Sequence, residues 1–200
     1  MDKTLEYYAQ NTDVFFDETV DADVSPLWER FEKIVSGGHV LDLGCGSGRD
    51  TKHFLEKGYQ ITAIDGSEEL CLKASEYTGI DVIKKDFFDI DEVDVYDGIW
   101  ACASMLHVER KRLPMLIHKL GRALKPGGIL YMSFKYGDFD DFRDGRHFTD
   151  LDEESFRRVF QEACGLSELG QKLVIFDEWK SEDVRRGKNV AWLNEMVRKW

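Results

Sequence analysis

Apolar positions along the chain change period several times, and each change marks an element. From Met1 to about Gly38 the spacing is helical but irregular, with Leu5, Tyr8, Phe15 and Phe16 as apolar points and an acidic stretch from Asp17 to Asp23 behind them. Pro26 then opens a helix in which Leu27, Phe31, Ile34 and Val35 share one stripe, and Gly37-Gly38 ends it. Beyond that point the period shortens. His39 to Leu43 is an apolar run entering Gly44-Cys45-Gly46-Ser47-Gly48, and a helix over 49–57 closes at Gly58. Gln60 to Ile64 is a second strand ending on Asp65, and Ser67 caps the helix that follows, with Glu68 and Glu69 at its positive dipole end. Asp81 to Lys84 and Gly98 to Ala103 read as the third and fourth strands.

Between Glu109 and Leu124 a helix carries Leu113, Leu116, Ile117, Leu120 and Leu124 on one face, and Pro126-Gly127-Gly128 turns the chain into a fifth strand, Ile129 to Phe134. Lys135 to Thr149 is a polar loop. Thr149 and Asp152 precede a helix bearing Phe156, Val159, Phe160 and Ala163, and Leu173 to Trp179 is a further strand. Val190 to Val197 fits helix or strand by periodicity alone. Strands that alternate with helices and are too apolar to have a wet face predict an α/β fold, a mostly parallel sheet with helices on both sides. One domain is expected, with 1–38 a helical flap on a core spanning 39–200.

Composition narrows the function. The 200 residues are 42% apolar, enough for a substantial core, and 27 basic against 39 acidic side chains leave a net charge of −12. That balance disfavours a nucleic-acid or anionic-lipid partner. No signal-peptide pattern opens the chain and no uncharged run reaches membrane-span length, so a soluble cytoplasmic protein with no membrane association is expected. Cys45, Cys71, Cys102 and Cys164 are scattered without metal-ligand spacing, so neither disulfides nor a metal site is expected.

The chemistry gathers at the glycine cluster. A strand running through glycines into a helix offers backbone N–H groups and a positive dipole end to a compact polar ligand, without Cβ atoms in the way. A P-loop would need Gly-Lys-Ser/Thr here, whereas the chain has Gly48-Arg49-Asp50. A dinucleotide fingerprint would have its third glycine one residue later, where Arg49 stands. Asp65 follows Gly44 by 21 positions, where a carboxylate can accept both hydroxyls of a ribose, which fits any adenosine-bearing cofactor. Asp86 and Phe87 are candidates for the amine and the face of an adenine.

Val40-Leu41-Asp42-Leu43-Gly44-Cys45-Gly46-Ser47-Gly48, Asp65, Asp86-Phe87, Asp97 and Leu124-Lys125-Pro126-Gly127-Gly128 together resemble the motif series of class I S-adenosylmethionine-dependent methyltransferases over nearly the whole chain. Ser47-Gly48-Arg49-Asp50 and Ala63-Ile64-Asp65-Gly66-Ser67 are most similar to the small bacterial branch related to tellurite-resistance and small-molecule methyltransferases. The resemblance implies a Rossmann-like, doubly wound sheet of seven strands with the last antiparallel, so Lys188 to Arg198 is read as the closing strand, paired with Leu173 to Trp179. It also implies S-adenosylmethionine as cofactor. Its methionine part would lie along Gly44, Cys45, Gly46, Gly48 and Arg49, its ribose on Asp65 beside Gly66 and Ser67, its adenine at Asp86 and Phe87, and its sulfonium near Ala101 and Cys102. Ala101-Cys102-Ala103-Ser104 stands where base-amine methyltransferases carry an Asn/Asp-Pro-Pro-aromatic motif, which argues against exocyclic base amines; the acidic charge and the short chain favour a small-molecule acceptor.

Displacement at a sulfonium methyl demands alignment more than acid or base assistance. Where an acceptor must lose a proton, histidine suits the task. His107, just past the fourth strand at the sheet's carboxyl edge, is the substrate-side candidate, with Tyr136, Arg146 and His147 in the loop after the fifth strand. Arg146 is a candidate partner for an acceptor carboxylate or phosphate, or an internal ion pair among Asp138, Asp140, Asp141 and Asp144. Tyr8 is expected to contact the cofactor from the flap. Two rival functions stay open, a nicotinamide-dependent oxidoreductase and a non-catalytic S-adenosylmethionine-binding module.

Overall fold

A computed structural model of the protein describes residues 3–166, 172–185, 187 and 189–200. Three short helices come first: α1 (Lys3–Gln10), α2 (Thr12–Thr19) and α3 (Ser25–Glu32), the last with Pro26 in its first turn. Strands and helices then alternate through β1 (His39–Leu43), α4 (Arg49–Glu56), β2 (Gln60–Asp65), α5 (Glu68–Thr78), β3 (Ile83–Lys84), β4 (Tyr96–Ala101), α6 (Leu113–Ala123) and β5 (Leu124–Lys135). A hairpin, β6 (Asp140–Arg143) and β7 (Arg146–Thr149), precedes α7 (Glu153–Gly165), and β8 (Leu173–Glu182) and β9 (Ala191–Lys199) close the chain.

The main sheet has seven strands in the order β3-β2-β1-β4-β5-β9-β8. Pairing is parallel from β3 through β5, and β9 runs antiparallel to both β5 and β8. The expected antiparallel last strand is there. It begins at Ala191, and Lys188, where the sequence reading started it, lies outside the described residues.

The sheet is buried on both sides because its strands carry apolar residues on both. Leu41, Leu43, Ile99, Leu130 and Met132 face α6 and α7, which present Leu116, Ile117, Leu120, Phe156 and Phe160. On the opposite side Val40, Trp100, Tyr131 and Met196 pack against Phe31 of α3 and Phe54 of α4. Trp100 and Tyr131 stack with centroids 4.1 Å apart, and Gly98 lets α3 approach, since a Cβ there would meet Phe31 at 2.7 Å.

Two elements differ from expectation. The stretch from Lys135 to Thr149 is not simply a polar loop: it holds the β6–β7 hairpin, turned by Asp144 and Gly145, both at positive φ as a two-residue type I′ turn requires. The fourth strand stops at Ala101 rather than Ala103, because Ala103 has φ +52, which no strand accommodates.

Candidate active site

At the carboxyl edge of the parallel strands lies a cavity of about 470 Å³. Its floor is the turn after β1. Gly44 (φ +72) and Gly46 (φ +55) adopt left-handed conformations, and a Cβ on Gly44 would meet Ser104 at 2.6 Å and Phe87 at 2.9 Å. Asp65 ends β2 with its carboxylate buried at the cavity wall. Its Oδ2 accepts the Gly46 N–H at 3.0 Å and its Oδ1 the Ser67 N–H at 2.9 Å. Burial raises the Asp65 pKa, against the pull of those N–H donors.

The third wall is the turn after β3, where Asp86 caps Phe87–Asp89 by accepting the Phe88 N–H at 2.8 Å and places Phe87 on the cavity. The fourth is Ala103-Ser104. Ser104 Oγ is shielded from solvent without a hydrogen-bond partner among the described residues, and it follows Ala103 at positive φ. An orphaned hydroxyl, a glycine floor that side chains would fill, and a buried ribose-spaced carboxylate fit an adenosine-bearing cofactor with a polar tail.

The N-terminal helices form the roof. Leu5, Tyr8 and Phe15 line the cavity; Leu5 stands over Gly66 and Phe15 over Gly46. The Tyr8 hydroxyl lies 2.7 Å from His107 Nε2, and His107 Nδ1 lies 2.7 Å from the His147 carbonyl. A carbonyl only accepts, so Nδ1 carries the proton and Nε2 accepts from Tyr8. Burial, aided by the charges of Arg146 and Lys135, pulls the His107 pKa down to about 3 and keeps the ring neutral. Burial likewise raises the Tyr8 pKa, partly offset by Arg146.

Of the residues singled out in the sequence, Tyr8, Gly44, Gly46, Asp65, Gly66, Asp86, Phe87 and His107 meet at this cavity. Others stand behind it. Cys45 packs with Ala63, Cys71 and Ala74, Gly48 faces Ala74 and Thr78 at the start of α4, and Ser67 caps α5. Arg49 forms a paired contact with Asp50 at 2.8 Å, and both Trp28 and Trp100 donate their ring N–H to Asp50 at 2.9 Å. Burial opposes the Arg49 charge, but Asp50 more than offsets it and holds the pKa above its ordinary value. Ala101 is in the core, and Cys102 lies beside Arg49 and Ser133. Arg146 stacks on Tyr7 with its Nη1 3.4 Å from the Tyr8 hydroxyl. Tyr136 is at the surface, donating to Glu153 at 2.9 Å. His147, a candidate from its place after the fifth strand, also lines the cavity, and the cavity adds Ser104, Lys85, Phe88, Arg112 and Phe142, which were not singled out as site residues.

Strand order, the switch between β1 and β4, and a glycine-floored cavity at that edge define a Rossmann-like nucleoside-binding fold. Comparison with known proteins narrows it further. Residues 40–128 match the Methyltransferase domain family. The putative methyltransferase YqeM of Bacillus subtilis is 32% identical over 143 residues, 66% of this chain and 56% of that protein. A carboxy-S-adenosyl-L-methionine synthase of Vibrio atlanticus is 35% identical over 162 residues, covering 73% and 61%. Burkholderia thailandensis 1,6-didemethyltoxoflavin-N1-methyltransferase, solved with 1,6-didemethyltoxoflavin and S-adenosylhomocysteine, superposes with a TM-score of 0.75 at 20% identity over 98% of this chain and 84% of that one. The chain carries, over residues 40–128, a methyltransferase domain. It spans about three-fifths of the length of the first two relatives.

Proposed function

We propose that the protein transfers the methyl group of S-adenosylmethionine to a small-molecule acceptor, as a cytoplasmic enzyme. One observation carries the reading: the glycine floor, Asp65, Phe87 and the unpartnered Ser104 hydroxyl converge on one cavity beneath Tyr8. The family relationship supports the cofactor. The small-molecule acceptor is supported by the net charge of −12 and by the toxoflavin precursor bound to a protein of the same fold. Among the described residues no helix is long and apolar enough to cross a membrane.

When bound, the cofactor supplies an electrophilic methyl group on a good, neutral leaving group. In this reading Asp65 accepts the ribose hydroxyls, Asp86 and Phe87 hold the adenine, and Gly44 and Gly46 admit the amino-acid tail. Leu5, Tyr8 and Phe15 exclude water from above, which makes α1 and α2 the flap of the site, while α3 packs on the sheet. His107, with both nitrogens engaged, is a positioning residue: it fixes the Tyr8 hydroxyl as donor, and with Arg146 Nη1 donating to that hydroxyl at 3.4 Å one Tyr8 lone pair is left to accept from an acceptor N–H or O–H.

Calorimetric titration with S-adenosylmethionine, S-adenosylhomocysteine and NADH tests the proposal. Saturable binding of the first two alone is expected. Binding of NADH, or no binding of either sulfur ligand, would replace it with another nucleoside-binding function.

A further inference from the structure

In a chain of net charge −12, cations gather around Phe148, and one of them, Arg146, reaches Tyr8. Three surround one ring: Lys135 Nζ, Arg143 Cζ and Arg146 Cζ lie 3.8, 4.7 and 5.1 Å from the centroid of Phe148, which is itself 3% exposed. Lys135 ends β5, and the two arginines flank the hairpin turn. Arg185, in the β8–β9 connection, adds its field from the side.

Only part of this charge is neutralised. Asp150 takes both Arg143 Nη atoms at 3.1 Å, and Asp183 takes Arg185. Lys135 and Arg146 have no carboxylate at ion-pair distance among the described residues, and Arg146 Nε is shielded from solvent with no hydrogen-bond partner. Contacts with a shared ring do not replace a counter-ion. Desolvation first, and then repulsion by Arg143, Arg146 and Arg185, which the nearby Asp150 carboxylate only partly offsets, brings the Lys135 pKa down to about 8. Half-buried like charges held this close cost stability unless an anion joins them.

The position matters as much as the charge. Arg146 touches Tyr7 and Tyr8, and its chain neighbour His147 lines the cavity, yet neither Arg146 nor Lys135 lines it. An anion held there would anchor a molecule whose remainder reaches the cavity along Tyr8. We infer that the methyl acceptor is a small organic anion whose carboxylate or phosphate group docks between Lys135 and Arg146. This rests on the methyltransferase reading and names its substrate class.

The test uses the full chain saturated with S-adenosylhomocysteine, whose own binding is measured first. Benzoate and phenyl phosphate are then titrated as probes, with benzyl alcohol as the uncharged control. The expected result is that at least one anion binds and benzyl alcohol does not, the stronger of the two telling carboxylate from phosphate recognition. Lys135→Gln and Arg146→Gln should each weaken that binding about tenfold or more, the usual consequence of losing a charged hydrogen-bond partner. Lys57→Gln, exposed at the end of α4, should change nothing. Equal binding of the three probes, or anion affinity unchanged in both site variants, would overturn the inference. A parallel loss of S-adenosylhomocysteine affinity in Lys135→Gln would assign these cations to the cofactor's carboxylate and overturn it too. If the wild type fails to bind S-adenosylhomocysteine at all, the methyltransferase reading itself falls.

Discussion

Asp65 is the residue on which the cofactor assignment turns. Its carboxylate is buried and its pKa raised, yet backbone N–H groups already hold both oxygens in place, so it is oriented before any ligand arrives. Asp65→Ala should weaken S-adenosylhomocysteine binding by about 1.5–3 kcal/mol, roughly 10- to 150-fold. Calorimetry that finds wild-type affinity in the variant would remove Asp65 from the ribose. His107 makes a second residue-scale prediction. Its pKa is lowered from 6.5 to about 3, so the unfolded chain binds a proton that the folded chain refuses. Its contribution to stability is therefore complete above about 6.5 and declines as the pH falls toward 3. Nitrogen-detected NMR should find Nδ1 protonated and Nε2 not, from neutral pH down to pH 5; a doubly protonated ring at pH 5 would contradict the assignment. Asp65, Asp86 and His107 were legible because each ends a strand or follows one. Cys45, Gly48 and Arg49 show what spacing leaves out. They belong to the same loop, but alternation along a tight turn aims them into the core and at Asp50, and only three-dimensional packing decides which way each points.

At the scale of elements, α1 and α2 roof the site through side-chain contacts rather than sheet pairing. The Tyr8–His107 hydrogen bond, the 3.0 Å hydrogen bond from the His147 N–H to Thr4 and the ion pair of Asp13 with Lys73 are among those that hold them. Helices of eight residues have little stability of their own. Binding of S-adenosylhomocysteine should slow amide exchange across residues 3–19, and unchanged exchange there would mean the helices are static packing rather than a flap. Gly46→Ala should strain the φ +55 turn and press a methyl 3.0 Å from Phe15. It should lose cofactor affinity while α3–α7 and the sheet keep their exchange protection; affinity equal to wild type would contradict the role of that glycine. The β6–β7 hairpin was the element that sequence patterning obscured. Asp140, Asp141, Arg143 and Arg146 mask its apolar positions, because its outer face is wet, while Asp144-Gly145 was the available turn signal.

For the whole molecule, the central strands were legible from apolar runs broken by glycine, since a sheet covered on both faces leaves that trace. The closing strand β9 was not, because its period fits helix and strand alike; resemblance supplied it and its pairing with β8, whose first residues were legible as a strand. This pair also carries a pH liability. Glu195 is fully buried opposite Glu178, and burial together with that neighbour raises its pKa from 4.5 to about 9. The folded chain holds a proton there that the unfolded chain releases, so this contribution to stability is complete below about pH 4.5 and is lost as the pH rises through about 9. Denaturant unfolding should find stability declining between pH 6 and 9, with a flatter profile in Glu195→Gln; identical profiles would place the proton elsewhere. The central claim, that this fold holds S-adenosylmethionine at the β1–β4 switch, is tested most directly by a crystal structure grown with S-adenosylhomocysteine. The ligand is expected beneath Tyr8, with its ribose on Asp65 and its adenine beside Asp86 and Phe87. A ligand seated elsewhere, or a cavity that stays empty at saturating concentration, would contradict it.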